Sequence, residues 1–142
     1  MEGTYVPTTT EIDPEDLPNG YPTKAEALRF VHAYEPKFGP PSKSAASFWD
    51  ALRMLEAAVP TALRTAKPGT VEFRGALRTA LENLHGLPGA SQVYNFTSQD
   101  HSGVGIESFA MMRVVNNSWK IDTLMWHNGR DSSATPLRTS GH

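Results

Sequence analysis

The sequence predicts an α/β chain in which three helices lie between a first short strand and three later ones. Three observations predict it. Apolar residues recur at helical spacing from Ala27 to Leu84. From Gln92 onward the period drops to that of a strand. Proline and glycine crowd the first 22 residues and the stretch after Leu84, which leaves a helical middle between two looser ends.

The elements follow in order. Residues 3–6 suit a short strand. Residues 7–22 contain Pro7, Pro14, Pro18 and Pro22, which fix φ and remove backbone donors, so this stretch is expected to be extended. Thr23 and Glu26 have the spacing of a capping box. Ala27, Phe30, Val31, Tyr34 and Phe38 then make an apolar stripe, and Gly39-Pro40-Pro41 stops it. A second helix is expected to start near Ser42 or Ser44, with Ala45, Phe48, Trp49, Leu52, Leu55, Val59 and Leu63 as its core stripe. It is the longest and most apolar element and is expected to be central, with Pro60 kinking it or ending it early. A third helix is predicted over about 70–84, with Phe73, Leu77, Ala80, Leu81 and Leu84 on one side. Gln92 to Phe96 reads as a strand, as does Ser108 to Val115. Asn116-Asn117 then turns the chain, and Ser118 to Leu124 returns as the hairpin partner. Residues 125–142 are polar and aperiodic and are expected to be a disordered tail behind one domain over 1–124.

Composition narrows the function classes. The chain has 142 residues, 39% hydrophobic and 20% charged, enough for one domain with a packed core. A net charge of −2 gives no bulk attraction for nucleic acid or anionic lipid. With no cysteine there is no disulfide, thiol nucleophile or thiolate metal site. No stretch approaches the roughly 18 apolar residues of a membrane span. Met1-Glu2 leads into polar residues rather than a basic and then apolar leader, so the chain as written is expected to stay in the cytoplasm.

Candidate chemistry is sparse. Ser98-Gln99-Asp100-His101-Ser102-Gly103 invites an acid–base reading with Glu107 as a third member. Sequence neighbours on a loop point apart, however, and Asp, Ser and Gly are turn formers, so a turn is the expectation here. The histidines at 32, 85, 101, 127 and 142 lack metal-ligand spacing, and no metal or cofactor is expected. Gly103-Val104-Gly105 lacks the third glycine and following helix of a dinucleotide fingerprint. Phe48 and Trp49, at the start of the long helix, are the candidate ligand-contacting residues, since aromatic rings there can line a cleft. The competing reading puts both in the core stripe.

Several segments in register resemble one family. Ala27 to Gly39 resembles the helix of leucine/isoleucine/valine-type solute-binding proteins of bacterial ABC transporters, with its aromatic, Tyr and terminal Gly. Ala45-Ala46-Ser47-Phe48-Trp49-Asp50-Ala51-Leu52 is similar to that family's aromatic-Asp-Ala helix start. Phe73 to Glu82 is similar to a late helix, and Leu87-Pro88-Gly89 through Asp100-His101-Ser102-Gly103 resembles the closing segment. Asn117-Ser118-Trp119-Lys120-Ile121 resembles its last strands. Order and spacing hold from about Gly3 to Ile121.

The resemblance implies a partial type I periplasmic-binding-protein fold, an incomplete lobe drawn from the C-terminal part of such a protein. The three helices would belong to one lobe, and the chain would then cross the hinge into the other. It further implies non-enzymatic binding of a branched-chain amino acid or similar small solute, delivery to an ABC permease and, for the family, a periplasmic location. The alternative is a truncated interaction module that binds no ligand. Either way, helices made to cover a sheet would leave apolar patches exposed and favour self-association of the fragment.

Overall fold

The computed structural model describes residues 2–11, 13–105 and 108–122. The first strand, β1, is Tyr5–Thr8, two residues later than its sequence position, and a 3-10 turn over Pro14–Asp16 follows it. Three helices come next: α1 (Lys24–Phe38), α2 (Lys43–Ala62) and α3 (Val71–Glu82). Four strands complete the described chain: β2 (Leu87–Pro88), β3 (Val93–Tyr94), β4 (Ala110–Val115) and β5 (Ser118–Ile121). The predicted tail over 125–142, and Leu124 before it, lie outside the described residues.

Sequence explains the boundaries of the helices. Ser42 caps α2, its hydroxyl accepting from the Ala45 amide at 3.2 Å, and Thr70 caps α3 through Phe73 at 3.1 Å. At the end of α1 the chain turns through Gly39 at φ 78°, a left-handed conformation suited to glycine, and the Gly39 amide donates to the Glu35 carbonyl. Pro60 does not end α2 early. It sits in the last turn, and the helix runs two residues past it to Ala62.

The capping box expected at Thr23 and Glu26 does not form. Thr23 is fully buried with helical φ and ψ, and its hydroxyl pairs with that of Thr10 at 2.6 Å. Glu26 instead accepts from the Trp49 indole at 2.8 Å and lies 3.2 Å from Arg53 Nε. A tertiary partner has displaced the local one at both positions.

β4 is the middle of a three-stranded antiparallel sheet in the order β1-β4-β5. Tyr5 faces Arg113 and Thr8 faces Ala110 on one side, while Val115 faces Ser118 across the hairpin on the other. Asn116 and Asn117 make that turn at φ 52° and 59°, the paired left-handed geometry that fits the twist of a hairpin. Ala110, Met112 and Val114 alternate inward and are buried. β2 and β3 pair antiparallel as a separate two-stranded ribbon, and β2 had no signature in the sequence pattern.

Phe30, Ala46 and Ala90 form the apolar centre, with Val31, Tyr34, Ala45 and Trp49 packed against them. The core stripe expected on α2 is corrected here. Its inward face is Ala46, Asp50, Ala58 and Ala62, whereas Phe48, Leu52, Leu55 and Leu63 are exposed. The small residues are the ones covered, Ala46 packing with Phe30 and Ala90, while the large side chains stand in water.

Candidate functional site

Two constructions stand out. The first is a buried polar junction around Asp50, which is 1% exposed. Its carboxylate accepts from the backbone amides of Ala90 and Ser91, from the Ser91 hydroxyl, and from the Tyr94 hydroxyl at 3.0 Å. An acidic group carried inside a protein needs such donors to replace its lost water. The 89–91 segment is gripped from the other side as well. The Thr10 hydroxyl lies 3.1 Å from both the Ala90 and Ser91 carbonyls, and the Thr10 amide donates to Ser91 O at 3.4 Å. Asp50 thus ties α2 to the connection between β2 and β3, and Thr10 ties that connection to the segment after β1.

Burial, together with the nearby Asp50 and Glu11 carboxylates, pushes the Tyr94 phenol up to about 12. Glu11 is itself buried, with one carboxylate oxygen receiving the Thr9 hydroxyl at 2.7 Å. Its other oxygen has no hydrogen-bond partner among the described residues.

The second construction is a cleft of about 470 Å³ lined by Met54, Arg78, Leu81, Glu82, Phe96 and His101. α2 supplies Met54, α3 supplies Arg78, Leu81 and Glu82, and the chain after β3 supplies Phe96 and His101. Glu82 lies between two basic groups, 2.8 Å from Arg78 Nε and 3.0 Å from His101 Nε2. The Arg78 hydrogen bond, with His101 adding to it, holds the Glu82 carboxyl below its ordinary range. Chemically this is an apolar floor with a charged rim, suited to holding an organic group by its apolar body.

The acid–base grouping around Asp100 is a turn. Asp100 accepts from the Ser102 and Gly103 amides at 2.9 and 3.2 Å, while Thr97 accepts from the Gln99 and Asp100 amides. The His101 ring is turned to Glu82, and Glu107 lies outside the described residues. Among the described residues no group of three or more His, Cys, Asp or Glu is placed to hold a metal ion. No described helix is long and apolar enough to cross a membrane.

Phe48 and Trp49 are placed differently from each other. Phe48 is 79% exposed. Trp49 is partly buried, its ring centroid 5.6 Å from that of Phe30 and its Nε1 bound to Glu26, with the Arg29 guanidinium 5.6 Å over its face. Neither lines the 470 Å³ cleft. Sequence reasoning missed the Asp50 junction. The available signal was an aspartate in the interior of an apolar helix, a residue type that helix interiors disfavour unless something holds it. The Glu82–His101 pair, 19 residues apart, had no local signal.

No family profile matches the chain, and no curated protein does. Solved structures do. An extracellular ligand-binding receptor from Rhodopseudomonas palustris HaA2 matches with a TM-score of 0.76 and 37% identity, over 85% of this chain and 34% of that one. A second receptor described in the same words, from Rhodopseudomonas palustris, gives a TM-score of 0.76 and 37% identity over the same shares. A further HaA2 receptor is 30% identical with a TM-score of 0.74, again over 85% and 34%. The α/β fold is therefore that of part of a ligand-binding receptor. The chain spans about a third of the length of the solved structures it matches.

Proposed function

We propose that this chain forms part of a solute-binding receptor of an ABC importer, non-enzymatic, with branched-chain amino acids or similar small organic solutes as ligands. The observation that carries the reading is a likeness at 37% identity and a TM-score of 0.76 to a protein described as an extracellular ligand-binding receptor. The choice of solute rests on the sequence segments quoted above, from Ala27 to Ile121. In this reading delivery is to an ABC permease, and the working compartment is the periplasm. Phe48, open to solvent, and Trp49 beside it are the residues proposed to meet the solute's apolar part.

The test is thermal unfolding of the chain with millimolar leucine, isoleucine, valine, an amide and an aromatic acid in turn. A ligand at about 100 times its Kd adds about 2.7 kcal/mol to the bound state. A shift with one class and not the others supports the reading and names the solute. A flat response to every compound rejects it.

A second reading is an interaction module without ligand binding, and the exposed Phe48, Leu52 and Leu55 of α2, with Leu63 just past its end, favour it. Its signature is a mass that rises with concentration while the unfolding midpoint ignores every solute.

A further inference from the structure

Buried acids in this chain are satisfied in different ways. Glu26 has arginines beside it, Arg29 at 3.5 Å and Arg53 at 3.2 Å. Glu11 and Asp50 are each 1% exposed, and no ion pair among the described residues includes either of them. Asp50 is held by two amides and two hydroxyls instead. Glu11 is held by one group, the Thr9 hydroxyl on Oε1. Its Oε2 is enclosed without a hydrogen-bond partner among the described residues.

The two acids share one region of the interior. Thr10, next to Glu11, holds the carbonyls of Ala90 and Ser91, and the amides of those same residues bind Asp50. The Tyr94 phenol, 3.0 Å from Asp50, also feels the charge of Glu11. Two formal negative charges therefore lie among hydroxyl and carbonyl oxygens, with no basic side chain paired to either among the described residues. A carboxylate oxygen taken out of water needs a donor or a cation.

We infer that Glu11 Oε2 is a ligand of a buried monovalent cation of the size of sodium or potassium. Carboxylate, hydroxyl and carbonyl oxygens suit hard cations. Calcium draws on several carboxylates, and magnesium demands a near-ideal octahedron. Here one carboxylate oxygen is free, because those of Asp50 already hold four donors, and among the described residues no larger group of acids stands ready. The ammonium group of an organic solute is the rival occupant. Burial decides against it, since a residue 1% exposed offers no face to an organic ligand. The site lies where the segment after β1, α2 and the connection between β2 and β3 meet, so the ion adds a tie at the polar junction. It goes beyond the solute-binding reading and holds whichever solute the chain takes.

The experiment follows thermal unfolding of the intact chain at one pH and one ionic strength, in sodium, potassium and tetramethylammonium chloride. Screening is the same in all three, and tetramethylammonium is too large for a buried oxygen site. The expected result is a midpoint at least about 3 °C higher in sodium or potassium than in tetramethylammonium. Glu11→Gln keeps the shape of the side chain and one acceptor oxygen but removes the charge, and it is expected to abolish that difference. Equal midpoints of the parent in the three salts overturn the proposal and leave a water molecule as the partner of Oε2. A difference that Glu11→Gln retains also overturns it, because the salts then act elsewhere. If Glu11→Gln does not fold in any salt, sodium NMR on the parent decides. Its line is expected to broaden with the chain present and to recover in excess potassium, and a line unmoved by the chain overturns the proposal.

Discussion

Replacing Asp50 tests the polar junction most directly. Its carboxylate receives two backbone amides and two hydroxyls in a place that is 1% exposed. The hydroxyls of Ser91 and Tyr94 can rotate or exchange donor for acceptor, but the amides of Ala90 and Ser91 cannot. Asp50→Asn keeps one acceptor oxygen and turns an NH2 toward the other amide, so whichever way the carboxamide is set one amide is stranded. A buried donor without a partner costs about 1–3 kcal/mol, which puts this variant near 2 kcal/mol. Asp50→Ala strands both amides and leaves a small void, for about 4 kcal/mol. For a chain of this size each kcal/mol moves the melting point by about 3 °C, so losses of about 6 and 12 °C are expected. Urea unfolding at 25 °C followed by tryptophan fluorescence gives the free energies directly, with the m-value checking that the denatured state has not changed. The ordering is the diagnostic: Ala twice as costly as Asn. If both variants lose less than about 1 kcal/mol, or if Asp50→Leu is as stable as the parent, the junction does not anchor the 89–91 segment.

Three further outcomes follow from the same structure. A Cβ added at Gly89 would lie 2.5 Å from Asp50 Cγ and 2.6 Å from both carboxylate oxygens, so Gly89→Ala is expected to cost about 2 kcal/mol in urea unfolding, although its backbone conformation suits alanine. The Tyr94 phenol titrates near 12 in the folded chain and near its ordinary 10 when unfolded. The folded state therefore keeps its proton longer, and this stabilisation is fully present below pH 10 and disappears as pH rises toward 12. Tyr94→Phe should flatten that alkaline limb, and an unchanged slope between pH 9 and 12 would exclude Tyr94 as its source. Asn117 at φ 59° occupies a turn position that glycine fills without strain, so Asn117→Gly is expected to gain about 0.5–1 kcal/mol, read as a rise in the urea midpoint.

The parts legible in the sequence were those fixed by short-range chemistry. Ser42 and Thr70 cap the helices they precede, Gly39 closes α1, and Asn116-Asn117 makes the hairpin. The Asp100 turn was also readable, because its acceptors and donors lie within three residues of one another. What failed was decided at long range. Thr23 and Glu26 have the local pattern of a cap, yet their partners are Thr10 on one side and Trp49 on the other. On α2 the rule that large apolar residues point inward assumed a covering layer. Ala46, Ala58 and Ala62 are the buried apolar residues instead, Ala46 packed with Phe30 and Ala90. Asp50 was read as part of a motif rather than as an acceptor, since nothing within one turn of it reveals donors 40 to 44 residues away.

The sheet order has a consequence for how the chain assembles during synthesis. β4 is held on one flank by β1 near the start of the chain and on the other by its own hairpin partner. The pairing of Tyr5 with Arg113 closes a loop of more than 100 residues, which is slow compared with forming α1, α2 and α3 from neighbouring turns. As the chain leaves the ribosome the helices can form before β4 is available to β1. β1 must wait until Ala110 to Val115 has emerged, and for that interval its exposed edge is the segment most open to capture by another chain.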